Sequence, residues 1–233
     1  MRTTDVQGSL TLERGLRVLR VLADHREGMS VSELAREMST HRASVYRLLG
    51  PLSDQRLAVR GEDGRFRLGI GLIELAGRVR TRLQEVASPE LQELADEIRA
   101  TTALTLRDGD QAVVVAVLEP RSSDMHIAYR TGLRHRLDQA ASGVAILAAQ
   151  PSQPAERDAV KQARERGWAR SSGELLAGAT GVGTAIATPE GYAEASISAV
   201  WIGERDEADM ASRVVAAAAR IAAALQNGNQ PAR

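Results

Sequence analysis

The chain has 233 residues with 30 basic and 30 acidic side chains, a formal net charge of zero, and no cysteine. That length accommodates one or two domains, and the missing cysteine excludes a disulfide framework and a thiolate metal site. No apolar run approaches the roughly 18 residues of a membrane span and the polar N-terminus lacks a signal peptide, so a cytoplasmic protein with no membrane partner is expected.

Charge is uneven along the chain. Residues 1–70 carry twelve arginines against nine carboxylates, which leaves the remainder acidic by the same margin. A mildly basic head on an acidic body suits nucleic-acid binding by the head alone. Residues 12–25 read as a helix with Leu12, Leu16, Leu19, Leu22 and Ala23 on one face, expected to pack under the next two helices. Gly28 interrupts the chain. Ser30 then begins a short helix with Glu33 three residues on, the spacing of a capping box. Leu34, Ala35 and Met38 give it an apolar face, and Met38-Ser39-Thr40 forms a turn.

A second helix is expected over residues 41–53. Val45, Leu48, Leu49 and Leu52 recur at helical spacing and face a core. Arg42, Ala43, Tyr46, Arg47 and Gly50 are left on the outer face. Arginine neutralises phosphate and reads guanine, and small residues let a backbone approach a duplex. Ser44, in the first turn, is placed to bond a phosphate or a base edge. Ser30 and His41, at the starts of the two helices, complete the DNA-facing set on this unit. The competing reading is a helical hairpin with a solvated basic face. The next stretch of chain favours DNA: residues 57–60 and 65–68 read as strands around Asp63-Gly64, a hairpin signature. Two helices followed by an arginine-bearing hairpin make a winged helix-turn-helix. Arg65 and Arg67 alternate with Phe66, so both are expected to point away from the core and towards phosphate.

Leu72, Leu75, Ala76, Val79, Leu83 and Val86 predict a helix ending near Ala87, whose apolar strip pairs either with its own subunit or with a second copy. Ser88-Pro89-Glu90 is expected to restart the chain as a new helix, with Leu91, Leu94, Ala95 and Ile98 buried. Residues 103–107 and 112–118 read as strands around Asp108-Gly109-Asp110, and residues 125–129 as a third strand. Residues 142–149 form a small-residue helix and 155–166 a charged one ended by Gly167. Residues 168–170, 182–187 and 193–201 are further strands, and 207–226 a long alanine-rich helix. The fold class is α+β with a mainly antiparallel sheet.

The order of these elements, with the stretches LERGLRVLRVL, SVSELAREM, SVYRLL and GRFRLG in the head, resembles the IclR family of bacterial transcription regulators. In the body, HRLDQAASGVAILA, ARERGWARSSGEL and GATGVGTAIA are similar to that family's small-residue element, its Arg-Gly-aromatic segment and the strand after it. The resemblance covers about residues 10–226. It implies a winged helix-turn-helix over 9–70, a linker helix over 71–87, and a GAF-like α/β effector-binding domain over 88–228. It also implies double-stranded operator DNA and a small-molecule effector as partners, and a homodimer or dimer of dimers. No cofactor is implied.

The expected effector site comprises Ala141, Ser142, Gly143, Ser171, Gly181, Ser196 and Ser198; the competing reading makes Ser142 simply a helix cap and the glycine and alanine residues packing. The free N–H groups at this helix start suit a carboxylate or phosphate. The chain departs from the family at Arg56, where glycine usually ends the recognition helix, at Val144 in place of a lysine, and at Ser171-Ser172 in place of an acid. With both charges missing, the expected effector carries a carboxylate or no charge, and has an apolar part facing Val144, Val182 and Ile186. Catalysis is not expected. His25, His41, His126 and His135 lack metal-ligand spacing, and no G-x-S-x-G surrounds Ser142. The alternative function is a DNA-binding architectural protein without an effector.

Overall fold

The computed structural model describes residues 9–77, 82–122, 129–187 and 194–227. The chain divides into two compact units, Met1–Arg80 and Thr81–Arg233.

In the first unit, α1 (Leu10–Asp24), α2 (Val31–Glu37) and α3 (Arg42–Asp54) precede a hairpin of β1 (Ala58–Arg60) and β2 (Phe66–Leu68), and α4 (Gly71–Gly77) closes it. The capping box forms as spaced: Ser30 Oγ accepts from Glu33 N at 3.3 Å and Glu33 Oε2 accepts from Ser30 N at 2.7 Å. The turn after α2 places Ser39 at φ 50. Ser39 N donates to Arg36 O and Thr40 N to Ala35 O, which satisfies two carbonyls at the end of α2. Val45, Leu48 and Leu49 of α3 are buried with Leu34, Ala35 and Met38 of α2 and with Phe66 of the hairpin. Met29 adds a bridge to the hairpin, exchanging backbone hydrogen bonds with Phe66 at 2.9 and 2.7 Å.

Two expectations for the head and the linker are corrected. The buried line of α1 is Gly15, Val18 and Leu22, while Leu12 and Leu16 are 63% and 51% exposed and Ala23 is exposed. Two overlapping apolar strips run along this helix, and periodicity does not say which one meets the neighbouring pair. The expected helix end near Ala87 with a restart at Ser88 is not found. After α4, and beyond residues 78–81, which lie outside the described residues together with Val79, α5 (Arg82–Ile98) runs through Ser88 and Pro89 without interruption. Ser88 Oγ donates back to Gln84 O at 2.6 Å instead of capping forward. Pro89 forgoes one helical hydrogen bond, and the burial of Ala87, Leu91 and Leu94 in one core outweighs that loss.

Among the described residues the second unit holds a six-stranded antiparallel sheet in the order β5-β4-β3-β8-β7-β6. Its strands are β3 (Thr101–Asp108), β4 (Gln111–Leu118), β5 (Arg134–Arg136), β6 (Ala169–Ser172), β7 (Ala179–Ala185) and β8 (Ala195–Ile202). Strand alternation divides it into two faces. Leu104, Val182, Ile197, Ala199 and Trp201 point to a core completed by α5 and by α8 (Glu207–Asn227). Ser196, Ser198 and Val200 point the other way, where α6 (Ala140–Ala148) crosses the sheet and α7 (Asp158–Arg166) packs on α6. A Cβ at Gly183 would lie 3.0 Å from the Ala141 carbonyl, so glycine there brings α6 directly onto β7. The expected strand over 125–129 falls largely on residues 123–128, outside the described residues. Tyr129 itself is in no strand, and the short edge strand β5 was not anticipated.

Candidate DNA-facing helix and effector pocket

The outer face of α3 is as the spacing requires. His41, Arg42, Ala43, Tyr46, Arg47 and Gly50 are exposed, and Ser44 is half-buried with Arg47 Nη2 3.5 Å from its hydroxyl. Ser30 serves the capping box of α2. Arg14 and Arg17 of α1 share a groove with Ser39, Thr40, Ser44 and Arg47. Sequence reasoning passed over these two arginines. The i, i+3 pair on the polar side of α1 was the available signal.

The wing arginines differ from expectation. Neither guanidinium is held out towards solvent alone. Arg65 donates to Gly28 O at 3.1 Å and pairs with Glu33 at 2.9 Å, which ties the wing to the start of α2. Arg67 forks onto Asp63 at 3.0 and 2.6 Å across the hairpin turn. The two carboxylates respond. The Ser30 backbone N–H, its hydroxyl and then Arg65 lower the Glu33 pKa from 4.5 to about 2. The Arg67 guanidinium and the Arg65 backbone N–H lower that of Asp63 from 3.8 to about 2. The cause is hydrogen bonding to the charged form.

Arg56 sits at φ 56 after α3, and the family's usual glycine conformation is kept without the glycine. Arg56 N donates to Ser53 O at 2.9 Å and Leu57 N to Leu52 O at 2.8 Å, the paired bonds that end a helix in a left-handed residue. The turn is therefore the ordinary one, carried by a strained residue.

In the second unit a small cavity of about 30 Å³ opens between the N-terminus of α6, the loop after β6 and the pocket face of the sheet. Ala141, Ser142, Ser171, Gly181 and Ser198 line it. Gly143 and Ser196 do not. A Cβ at Gly143 would lie 2.5 Å from Leu137 O, so this glycine serves packing, and Ser196 Oγ donates to Ser142 O at 2.8 Å beneath the helix. Tyr129, Glu174, Leu175, Leu176 and Thr180 are further lining residues. Val144, Val182 and Ile186 are corrected too: all are buried in hydrophobic clusters and none faces the cavity.

The helix start is also revised. α6 begins at Ala140, so Ser142 is inside the first turn and Gln139 is the cap position. Ser142 Oγ lies 3.3 Å from Nε2 of the buried His135, whose Nδ1 lies 2.9 Å from Arg136 O. Burial pushes the His135 pKa down, against hydrogen bonds that work the other way. Burial raises the Tyr129 pKa, and the hydroxyls of Ser142 and Thr105 oppose that shift. The acid expected to be missing is supplied from further along: Glu174 Oε2 accepts from Ala140 N at 2.8 Å, and Ser171 Oγ accepts from Ala141 N at 3.0 Å. Two N–H groups of the helix end are thus already bonded within the chain.

Residues 11–62 match the model of the IclR helix-turn-helix domain, and residues 78–157 that of the C-terminal domain of bacterial transcriptional regulator IclR. The HTH-type transcriptional regulator Rv1719 of Mycobacterium tuberculosis is 34% identical over 62% of this chain and 56% of its own length. For TtgV of Pseudomonas putida the figures are 26%, 63% and 56%. The chain thus spans about half the length of the curated relatives it matches. An IclR homolog from Microbacterium hydrocarbonoxydans, solved in complex with 4-hydroxybenzoate, shares the fold with a TM-score of 0.81 at 24% identity, over 93% of this chain and 99% of that one. No helix among the described residues is long and apolar enough to cross a membrane. Two domain models of one family match in order and between them cover more than half the chain, on a winged head and an antiparallel body of the matching fold: the chain belongs to the IclR family of bacterial transcriptional regulators.

Proposed function

We propose that this chain is a ligand-responsive, sequence-specific regulator of transcription that binds double-stranded operator DNA in the cytoplasm as a homodimer or dimer of dimers. The outer face of α3 carries the reading. Arg42, Tyr46 and Arg47 stand exposed beside small residues on a helix whose other side is fully engaged in the core. A helix so presented enters a major groove, where arginine reads guanine edges and neutralises phosphate. Arg14 and Arg17, across the groove from Arg47, add phosphate contacts. Ile70, Ile73 and Leu75 at α4 are 62%, 71% and 55% exposed, an apolar surface that suits burial against a second copy.

The effector is a small molecule held in the cavity at the start of α6, among Ala141, Ser142, Ser171, Gly181 and Ser198. The homolog solved with 4-hydroxybenzoate supports a small-molecule response. Regulation is linkage: the effector binds one arrangement of the dimer better than the other, and DNA binding shifts by the same coupling. The deciding experiment is to sequence the genomic fragments that the purified chain retains and then to measure Arg47→Ala against them. Affinity should fall by about 1–3 kcal/mol with the fold intact. Unchanged affinity with an unchanged circular dichroism spectrum would remove α3 from the interface and with it the reading.

A further inference from the structure

The cavity at the α6 N-terminus has a chemical character that its position alone does not convey. On its wall, Ser198 is 2% exposed and its hydroxyl has no hydrogen-bond partner among the described residues. Buried hydroxyls are ordinarily bonded, so an unpartnered one facing a cavity marks where a ligand's polar atom lands. Two N–H groups at the anion-favouring end of the helix are already bonded within the chain. Ala140 N is bonded to the Glu174 carboxylate and Ala141 N to Ser171. No arginine, lysine or histidine is among the described lining residues. His135, behind Ser142, is held towards its neutral form by burial and offers no countercharge. The rest of the wall is hydroxyl and apolar, with Leu175, Leu176 and Val200 giving the apolar part.

We infer that Glu174 is the charge selector of this pocket: it keeps carboxylates out and admits a small molecule that presents O–H or N–H donors on an apolar body. The inference rests on the cavity being the effector site. A carboxylate entering the pocket either displaces Glu174 from Ala140 N or settles beside a like charge with no cation among the described lining residues to offset it, and both are unfavourable. A hydroxyl or carboxamide meets neither penalty. It donates to Ser198 Oγ or to the second oxygen of Glu174 and leaves the helix cap in place. Glu174 lies on the loop between β6 and β7, which leaves and re-enters the sheet through Gly173 and Gly178, both at positive φ (68 and 77). The loop is short, and its two left-handed glycines set the carboxylate over the helix end.

The test uses matched carboxamide and carboxylate pairs on benzene, cyclohexane and n-alkyl skeletons. Binding to the full chain is measured by calorimetry at constant pH. The wild type should prefer the carboxamide by about tenfold or more on the skeleton that binds best. Glu174→Gln keeps an oxygen for Ala140 N while removing the charge, so that preference should collapse to about twofold or less. Equal binding of both members by the wild type would overturn the inference, as would an undiminished preference in Glu174→Gln. A second variant separates this from failure of the site itself. A Cβ at Gly181 would lie 3.3 Å from Ser171 Oγ and 3.8 Å from Val200, so Gly181→Val narrows the cavity and should weaken both members of a pair alike. Probes that bind with the expected preference yet ignore Gly181→Val occupy some other place. That result, or the binding of no probe at all, would refute the assignment of the cavity as the effector site together with the role given to Glu174.

Discussion

Arg56 is the position where the energetics of one residue can be isolated. It holds a left-handed conformation at φ 56, which costs a residue with a Cβ about 1–2 kcal/mol. Glycine would relieve this strain but loses about 0.5–1 kcal/mol more chain entropy on folding. The Arg56–Glu74 pair, at 3.0 Å with side chains 65% and 52% exposed, would also go. Exposed pairs of this kind are worth about 0–1 kcal/mol. Arg56→Gly should therefore stabilise the head by about 0.3 kcal/mol. Arg56→Ala removes the same pair and keeps the strain, so it should fall about 1 kcal/mol below the glycine variant. Both tryptophans, Trp168 and Trp201, lie in the second unit, so their fluorescence follows that unit in urea. Far-UV circular dichroism follows both, and any transition absent from the fluorescence belongs to the head. An alanine variant as stable as the glycine variant would mean that the strain at this turn is absent. Gly69→Ala is the control of opposite sign. Its Cβ would fall 2.1 Å from the Arg56 carbonyl oxygen, and overpacking of that kind costs about 1–3 kcal/mol.

Three further outcomes rest on the charges. Glu33, lowered to about 2 in the folded chain from an ordinary 4.5, stabilises the head above pH 4.5 and loses that contribution as pH falls towards 2; Glu33→Gln should melt lower at neutral pH and show a flatter acid limb, and an acid limb parallel to the wild type would sink this. His135 has its folded pKa depressed, so the unfolded chain takes up protons first; stability should decline as pH falls below the unfolded histidine value of about 6.5, and His135→Asn, if it folds, should lose that slope in a calorimetric pH series. In the wing, Arg67 is tied only across its own hairpin, whereas Arg65 is bonded to both Gly28 and Glu33. Arg67→Ala should flatten the salt dependence of operator binding by about 0.9 log–log units while Arg65→Ala leaves it unchanged; equal slopes for the two, read by fluorescence anisotropy, would show that their intramolecular ties do not decide which one meets phosphate.

The head was legible because its information is local. Ser30 and Glu33 stand three apart, Val45, Leu48 and Leu49 recur at helical spacing, and Asp63-Gly64 demands a turn, so each element could be read within a dozen residues. At Arg56, standing where the family has glycine, sequence leaves open a strained turn or a differently shaped one, and the φ of 56 decides for strain. Alternation of Arg65 and Arg67 about Phe66 fixes only the face on which they emerge. It does not reveal that Glu33, 32 residues earlier, waits on that face to receive Arg65. Ser88-Pro89 is equally a helix start and a tolerable interior pair. Burial of Ala87 and Leu91 on either side decided for the interior, and no window of sequence contains that core.

The body shows the limit more sharply, because its candidate site is made by partners distant in the chain. The small residues of 140–143 and the serines of β8 could be selected by their type. Two of those selected, Gly143 and Ser196, turned out to hold the helix onto the strands and not to face the cavity, since both tasks call for the same small or hydroxyl side chains. Glu174 was overlooked for the opposite reason. An acid on a polar loop is commonplace in sequence, and only the fold brings its carboxylate to Ala140 N, 34 residues away. That contact reverses the inference from residue type alone. A helix N-terminus with no neighbouring acid favours a carboxylate ligand, and the same terminus already bonded to its own carboxylate disfavours one. The charge of the ligand thus depends on one hydrogen bond between distant residues.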